Sequence, residues 1–311
     1  MECIDLKMDQ RKSIDTYATM FMMMLCAIWG IQQVAIKGIA TEISPALQIA
    51  IRSIIAAILL WILMIYKKEY FTTSLVYYKS GLVVGILCAL EFFFIAEGLR
   101  YTSASHMAVF LYAAPIFAAI GLQLFLPEEK LALLQWGGIM IAFSGVAIAF
   151  LFGQNLDTSN LNHIILGDFF GLLAGLAWGC TTVVVRSTAL SSLPATHTLF
   201  YQLACAGGLL LLYACFSQQY HVHLTKSSSL SMLFQILVVA FLSYLTWFKL
   251  LKKYFASQLG TLSFLTPIFG VLAGVIMLGE KLELSFIIGS CLILIGIFMV
   301  NSYPWMKRKF I

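Results

Sequence analysis

The sequence predicts an all-α integral membrane protein in which ten transmembrane helices form two inverted five-helix repeats around a central cavity. Three observations predict it: a composition too apolar for water, ten segments long enough to cross a bilayer, and paired motifs recurring at a nearly fixed offset. Of the 311 residues, 61% are hydrophobic and 11% are charged. A soluble domain carries about 25% charged residues, enough to cover its surface; this chain does not. Six of the seven cysteines (Cys26, Cys88, Cys180, Cys205, Cys215 and Cys291) fall in apolar runs, and Cys3 lies near the start. No CxxC pair or Cys/His metal spacing occurs, so they read as small apolar fillers, with no disulfide framework, metal or cofactor expected.

Crossing about 30 Å of hydrocarbon takes about 20 apolar residues. The segments 17–37, 45–66, 80–99, 102–126, 131–152, 166–188, 195–216, 230–250, 256–278 and 284–303 qualify. The first is uncharged from Thr16 to Ile36 and lacks a small-residue cleavage site, so it reads as a retained span rather than a signal peptide. Pro45, Pro127 and Pro194 sit near helix starts, where a missing N–H costs nothing. With the N-terminus in the cytoplasm, fourteen of the 19 Lys and Arg residues lie on the cytoplasmic side. Lys37, Arg100, Lys226 and Lys281 lie outside, and Arg52 lies within a span. That bias fits the positive-inside rule and places both termini in the cytoplasm.

The halves repeat. Trp29-Gly30 matches Trp178-Gly179, Lys37 matches Arg186 and Pro45 matches Pro194, all at an offset of 149. At an offset of 152, Ala104-Ser105 matches Ala256-Ser257 and Pro115-Ile116-Phe117 matches Pro267-Ile268-Phe269. Leu126, Glu128 and Gly137 match Leu278, Glu280 and Gly289 at that same offset of 152. Five spans per unit is an odd number, so the second unit enters the membrane inverted, as in many secondary transporters. The expected organisation is a cytoplasmic segment 1–16, a first repeat 17–152, a linker 153–165, a second repeat 166–303 and a basic cytoplasmic tail 304–311.

Ionisable groups at membrane depth are costly and ask for an explanation. Glu91 lies twelve residues after Lys79, about 18 Å along a helix and near the midplane. It is a candidate for proton coupling or for binding a substrate amine, and a structural partner is the competing role. Arg52 is expected to pair with Glu97 or Glu91 as a clasp between the second and third spans, with substrate-carboxylate binding as the alternative. Gln32 and Gln33, and the equivalent Thr181 and Thr182, are candidates to line a pathway. Trp29, Trp178, Tyr244 and Trp247, with Tyr112, are candidates for an aromatic wall. The mid-span Pro115 and Pro267 each remove a helix hydrogen bond and supply a kink or hinge. His106 and Gln258 occupy equivalent positions near span starts. Gly137-Gly138 and Gly289-Ser290 permit close helix packing. Asp168, Lys37 and Arg186 read as snorkelling or anchoring groups at span ends.

The run Gly98-Leu99-Arg100-Tyr101-Thr102-Ser103-Ala104-Ser105, continuing through Pro115 to Leu126-Pro127-Glu128-Glu129-Lys130, resembles the drug/metabolite transporter superfamily. More narrowly it resembles the bacterial ten-span EamA-type exporters. Gln135, Gly137 and Gly145 fill the helix that follows this junction in the family. The second copy, with Ala256-Ser257, Pro267 and Leu278-Gly279-Glu280-Lys281-Leu282, is the closer match; Pro127 departs from the usual glycine. Trp29-Gly30, Trp178-Gly179 and Arg52 also resemble family positions. The resemblance implies export of small metabolites, often amino acids or their analogues, from the bacterial cytoplasm across the inner membrane.

The expected substrate site is Trp29, Gln33, Glu91, Tyr112, Trp178, Thr182, Tyr244 and Trp247, with Arg52, Glu97, Pro115 and Pro267 in structural or coupling roles. The expected partners are a small-molecule substrate, membrane lipids and protons as coupling ion, with no nucleic acid, in a monomer or homodimer. No GxxxxGK[ST], HExxH or GxSxG is present, so no nucleotide motor or hydrolase motif is legible and no catalytic residue is expected. A membrane enzyme acting on lipid-linked substrates, with His221 and His223 as its nearest polar cluster, is the alternative from another class. A multidrug or cation efflux carrier and a channel remain further alternatives.

Overall fold

The computed structural model describes residues 12–70, 75–102, 107, 110–151, 161–278 and 284–310. Among these residues every regular element is helical. In chain order they are α1 (Thr16–Gly38), α2 (Pro45–Tyr66), α3 (Leu75–Gly98), α4 (Ala114–Phe125) and α5 (Leu133–Leu151). Then come α6 (Leu161–Ser187), α7 (Ala195–Phe216), α8 (Lys226–Lys253), α9 (Ala256–Leu262), α10 (Leu265–Leu278) and α11 (Leu284–Phe310). By length and composition, 6 of them are fit to cross a bilayer: α1, α2, α3, α6, α7 and α8. Shorter apolar helices accompany them.

The ends of the spanning helices follow local chemistry. Ser44 caps α2 by accepting from the Leu47 N–H at 3.3 Å, and Pro45 takes the first turn, where its missing N–H is harmless. The helices α2 and α7 end alike. Lys68 and Gln218 adopt left-handed φ of 56° and 57°. The Glu69 N–H then reaches back to the Met64 carbonyl at 2.9 Å, and the Gln219 N–H to the Ala214 carbonyl at 2.8 Å. Both turns are six-to-one closures that satisfy carbonyls left over at the helix end.

The predicted spans 102–126 and 256–278 are interrupted rather than continuous. Turns at Tyr112–Ala113 and Ser263–Phe264 precede α4 and α10. Pro115 and Pro267 explain both breaks, because each lacks an N–H and crowds the carbonyl four residues back. Backbone groups freed at the second break are re-used: the Ser263 hydroxyl donates to the Gly260 carbonyl at 2.6 Å, and the Thr266 N–H to the Ser263 carbonyl at 2.9 Å. The middle of α8, Phe234–Ser243, is wound as a π-helix, a widening that sequence periodicity does not forecast.

The helices pack with α5 against α11, α2 against α7, α3 against α6 and α7, α4 against α6, and α1 against α10 and the π-segment of α8. Small residues set the closest approaches. A Cβ on Gly30 of α1 would stand 2.6 Å from the Gly270 nitrogen of α10. A Cβ on Gly179 of α6 would stand 2.7 Å from Phe117 Cβ and 3.0 Å from the Ala118 nitrogen of α4. Gly138 and Gly289 play the expected close-packing role between α5 and α11, meeting the backbone of Gly296 and Gly145, whereas Gly137 faces only a distant Met299 methyl. Meanwhile Trp61, Ile62, Ile65, Leu212, Phe216, Leu242 and Phe298 are all exposed. Apolar groups on the outside of a well-packed bundle are the surface that lipid tails cover.

Candidate functional site

A cavity of about 100 Å³ lies between the two halves of the chain. From the first half it is lined by Trp29 and Gln32 of α1, Cys88, Glu91, Phe92 and Ile95 of α3, and Leu111 and Tyr112 at the break before α4. From the second half come Trp178, Thr181 and Thr182 of α6, Gln202 and Leu203 of α7, and Tyr244, Trp247 and Phe248 of α8. Seven of these sixteen residues are aromatic. Trp29 meets Trp247 edge-on at 5.6 Å and Tyr244 at 6.4 Å; Phe92 stacks on Tyr244 at 6.5 Å; Tyr112 meets Trp178 edge-on at 5.7 Å. Offset and edge contacts at these spacings hold rings rigidly at little entropic cost.

The π-segment fixes one side of this wall. Trp29 Nε1 donates to the Ser243 hydroxyl at 3.0 Å, and that hydroxyl donates to the Val239 carbonyl at 2.6 Å. In the first turn of α2, Gln48 Nε2 donates to the Ile36 and Ile43 carbonyls at 3.1 and 2.7 Å, while its oxygen accepts from Gln235 Nε2 at 2.9 Å. The hydroxyls of Thr181 and Thr182 donate to the Ala177 and Trp178 carbonyls of their own helix. Among the described lining residues Glu91 alone carries a formal charge. It makes no hydrogen bond or ion pair to any described residue. Gln202 Nε2 is buried without a hydrogen-bond partner.

Seven residues expected at the substrate site therefore converge on one cavity: Trp29, Glu91, Tyr112, Trp178, Thr182, Tyr244 and Trp247. The Gln33 side chain, the Lys37 side chain and His106 lie outside the described residues. Pro115 lines a small neighbouring pocket between Trp178 and Trp247, and Pro267 is buried in α10. Gln258 is tied elsewhere, accepting from the Ile14 N–H at 3.0 Å. His221 and His223 are exposed and lie apart from the cavity.

Two expectations need correction. Arg52 does not clasp Glu97 or Glu91. It is 1% exposed, stacks over the Phe92 ring at 5.2 Å and donates from Nη2 to the Tyr244 hydroxyl at 3.4 Å, with Nε and Nη1 unpartnered. Glu97 instead accepts from Arg100 Nη1 at 2.8 Å and from the Tyr213 hydroxyl. The two are three residues apart at the end of α3, so a local partner wins over the one on α2. Glu97 is the main reason the Arg100 guanidinium is held above its ordinary value. Arg186 does not snorkel either; it is buried and paired with Glu129. Asp168, by contrast, accepts from the Thr102 hydroxyl at 2.7 Å near the start of α6.

Sequence reasoning passed over Cys88, Phe92, Gln202 and Phe248 in the cavity wall. Gln202 had a legible signal, an isolated amide within an apolar span. The other three look like ordinary core residues until the helices are packed.

Among the described residues, six helices fit to cross a bilayer pack with shorter apolar helices around a cavity with aromatic walls, which defines a multi-pass membrane protein. The EamA-like transporter family profile matches residues 16–151 and 165–302, and the chain belongs to that family, within the drug/metabolite transporter superfamily. It is 25% identical over 287 residues to the "Uncharacterized transporter YoaV" of Bacillus subtilis (strain 168), covering 91% of this chain and 95% of the relative. It is 23% identical over 296 residues to a "Probable amino-acid metabolite efflux pump" of Escherichia coli (strain K12), covering 92% of this chain and 95% of the relative. A solved crystal structure superimposes with a TM-score of 0.73 at 16% identity, covering 92% of this chain and 99% of that one, a likeness of fold alone.

Proposed function

We propose that this protein is a secondary transporter of the bacterial inner membrane that exports small amphipathic metabolites, amino acids or related compounds, by alternating access. The observation that carries the reading is a cavity lined from both halves of the chain, with aromatic walls and one carboxylate. In this reading ten spans form two inverted five-helix units, residues 17–152 and 166–303, with both termini in the cytoplasm. Helix packing supports it. Exchanging the halves converts the α1–α10 contact into α6–α4, the α3–α6 contact into α8–α1, and the α3–α7 contact into α8–α2, and each of these contacts is present. Such equivalence lets two similar units trade conformations and turn the cavity from one face to the other. The relative from Escherichia coli, named for amino-acid metabolite efflux, supports the substrate class.

Protons are the coupling ion in this reading, carried by Glu91. The charged and titratable groups facing it are Arg52 from α2, Cys88 from its own helix, Tyr112, and Tyr244 from α8. Reconstituted protein should show saturable exchange of labelled amino acid against an unlabelled internal pool. Flux that never saturates would identify a channel instead. Glu91→Gln should abolish pH-dependent exchange; a stably inserted variant with unchanged pH dependence removes Glu91 from that role.

A further inference from the structure

We infer that the central cavity selects a monocationic amine with an apolar ring over a zwitterionic amino acid carrying the same ring. The inference rests on the carrier reading and narrows its substrate class. Glu91 faces the cavity as its one formal charge among the described lining residues; no described residue hydrogen-bonds to it or pairs with it, and Arg52 acts on it only at longer range. A carboxylate with no hydrogen-bond partner in a largely apolar chamber is a receptor for an ammonium group, which supplies the donors it lacks and a charge in direct contact. The rings of Trp29, Trp178, Tyr244 and Trp247 line the same cavity, a surface for the apolar body of a cation whose charge their quadrupoles attract. Gln202 Nε2, buried and unpartnered, has room for a hydroxyl or carbonyl on that body.

An α-carboxylate finds no matching cation there. Arg52 is the nearest candidate, yet it does not line the cavity. It lies behind Phe92 and Tyr244, covering the Phe92 ring at 5.2 Å and reaching the Tyr244 hydroxyl at 3.4 Å. A zwitterion must therefore either leave its carboxylate against aromatic rings, at a desolvation cost, or displace those rings to reach Arg52. The cavity's size fits a single ring with a short chain: at about 100 Å³ it is on the scale of the ~150 Å³ engineered cavity that holds benzene.

The test uses the purified full-length protein in detergent with three probes that share a ring: phenethylamine, phenylalanine and 3-phenylpropionate. Ligand-induced thermal shifts, which follow mass action on the folded state, give each affinity. The expected result is saturable stabilisation by phenethylamine, at least about tenfold weaker binding of phenylalanine (a difference of about 1.4 kcal/mol), and no shift with 3-phenylpropionate. Glu91→Gln should abolish the phenethylamine shift. Gly208→Ala, outside the cavity and with nothing within 4 Å, should keep it, and cooperative unfolding of unliganded Glu91→Gln at a midpoint near that of the wild type guards against a folding defect. Equal or tighter binding of phenylalanine overturns the inference, as does no shift with phenethylamine, or a shift that survives in Glu91→Gln. Vesicle exchange separates this from the carrier reading. Saturable exchange of phenylalanine that phenethylamine does not inhibit sinks the amine inference and leaves the carrier standing. Phenethylamine binding without exchange of any probe does the reverse.

Discussion

Glu129 and Arg186 form an ion pair whose side chains are 0% and 1% exposed, joining the turn after α4 to the end of α6. Arg186 Nη1 also donates to the Leu251 carbonyl at the end of α8 at 3.0 Å. Glu129 accepts from the backbone of Ala256 at 3.1 Å and from the hydroxyl of Ser257 at 3.1 Å at the start of α9. Four chain segments thus meet at one buried ion pair.

Removing one member of a buried pair leaves an uncompensated charge and costs about 3–5 kcal/mol, whereas replacing both with apolar groups is often neutral. Glu129→Leu should therefore lower the midpoint of thermal unfolding sharply. Glu129→Leu combined with Arg186→Leu should recover much of the loss. A double variant no more stable than the single one would mean that the pair's value lies in its hydrogen bonds to α8 and α9 rather than in charge compensation.

Gly30 and Gly179 stand at matching places in α1 and α6, and each faces a backbone too closely for a side chain. Gly30→Ala pushes a methyl to 2.6 Å from the Gly270 nitrogen, where no flexible side chain is present to yield. Forcing atoms into a packed interface costs about 1–3 kcal/mol, so both Gly30→Ala and Gly179→Ala should unfold at lower temperature. Gly208 on α7 meets nothing within 4 Å, and Gly208→Ala should hold or raise the midpoint through helix propensity alone, by about 1 kcal/mol at most. Equal effects at all three sites would mean that helix packing in detergent departs from this structure.

Much of this arrangement was legible because membrane constraints are strong. The apolar lengths located the six helices fit to cross a bilayer, and the offsets of 149 and 152 pointed to the glycines and prolines that α1, α4, α6 and α10 use. Isolated polar or aromatic residues inside apolar runs, Glu91 and Tyr244 among them, line the cavity. Pairing was not legible. Arg52 and Glu97 are both buried, but which charge meets which depends on helix rotation, and rotation is set by side chains facing away from the charges. Arg186 looked like an end-of-span anchor because its partner, Glu129, stands 57 residues away in sequence. The π-segment Phe234–Ser243 leaves no mark in a stretch apolar but for Gln235 and Ser243.

Glu97 joins Arg100 to the Tyr213 hydroxyl, tying the end of α3 to α7. A hydrogen bond to a charged group contributes about 1.5–3 kcal/mol. Tyr213→Phe keeps the ring, which meets Phe93 edge-on at 4.9 Å, and removes only the hydroxyl. It should cost stability within that range. Arg100→Ala should cost less, because its side chain is 54% exposed and solvent screens the pair. The reverse ranking in thermal unfolding would shift the weight of this junction from Tyr213 to Arg100.

Asp15 lies just before α1 and anchors the first described residues to the corner between α8 and α9. The Tyr254 hydroxyl contacts its two oxygens at 2.8 and 2.9 Å, Lys12 Nζ donates at 2.6 Å, and the Ala18 N–H donates at 2.9 Å. The Lys12 hydrogen bond, followed by that of Ala18, holds the Asp15 carboxyl well below the ordinary 3.8. Lys253 is the other cation nearby, 5.6 Å above the Tyr254 ring. A depressed folded-state pKa means that the contribution is fully present above the unfolded value and fades as pH falls toward the folded one. The wild-type protein should therefore unfold at a higher temperature than Asp15→Asn at pH 6. That gap should narrow steadily below about pH 4, where the unfolded carboxyl takes up its proton. A gap constant from pH 6 to pH 3 would show that Asp15 acts through its cap on Ala18, which Asn preserves in part, rather than through its charge.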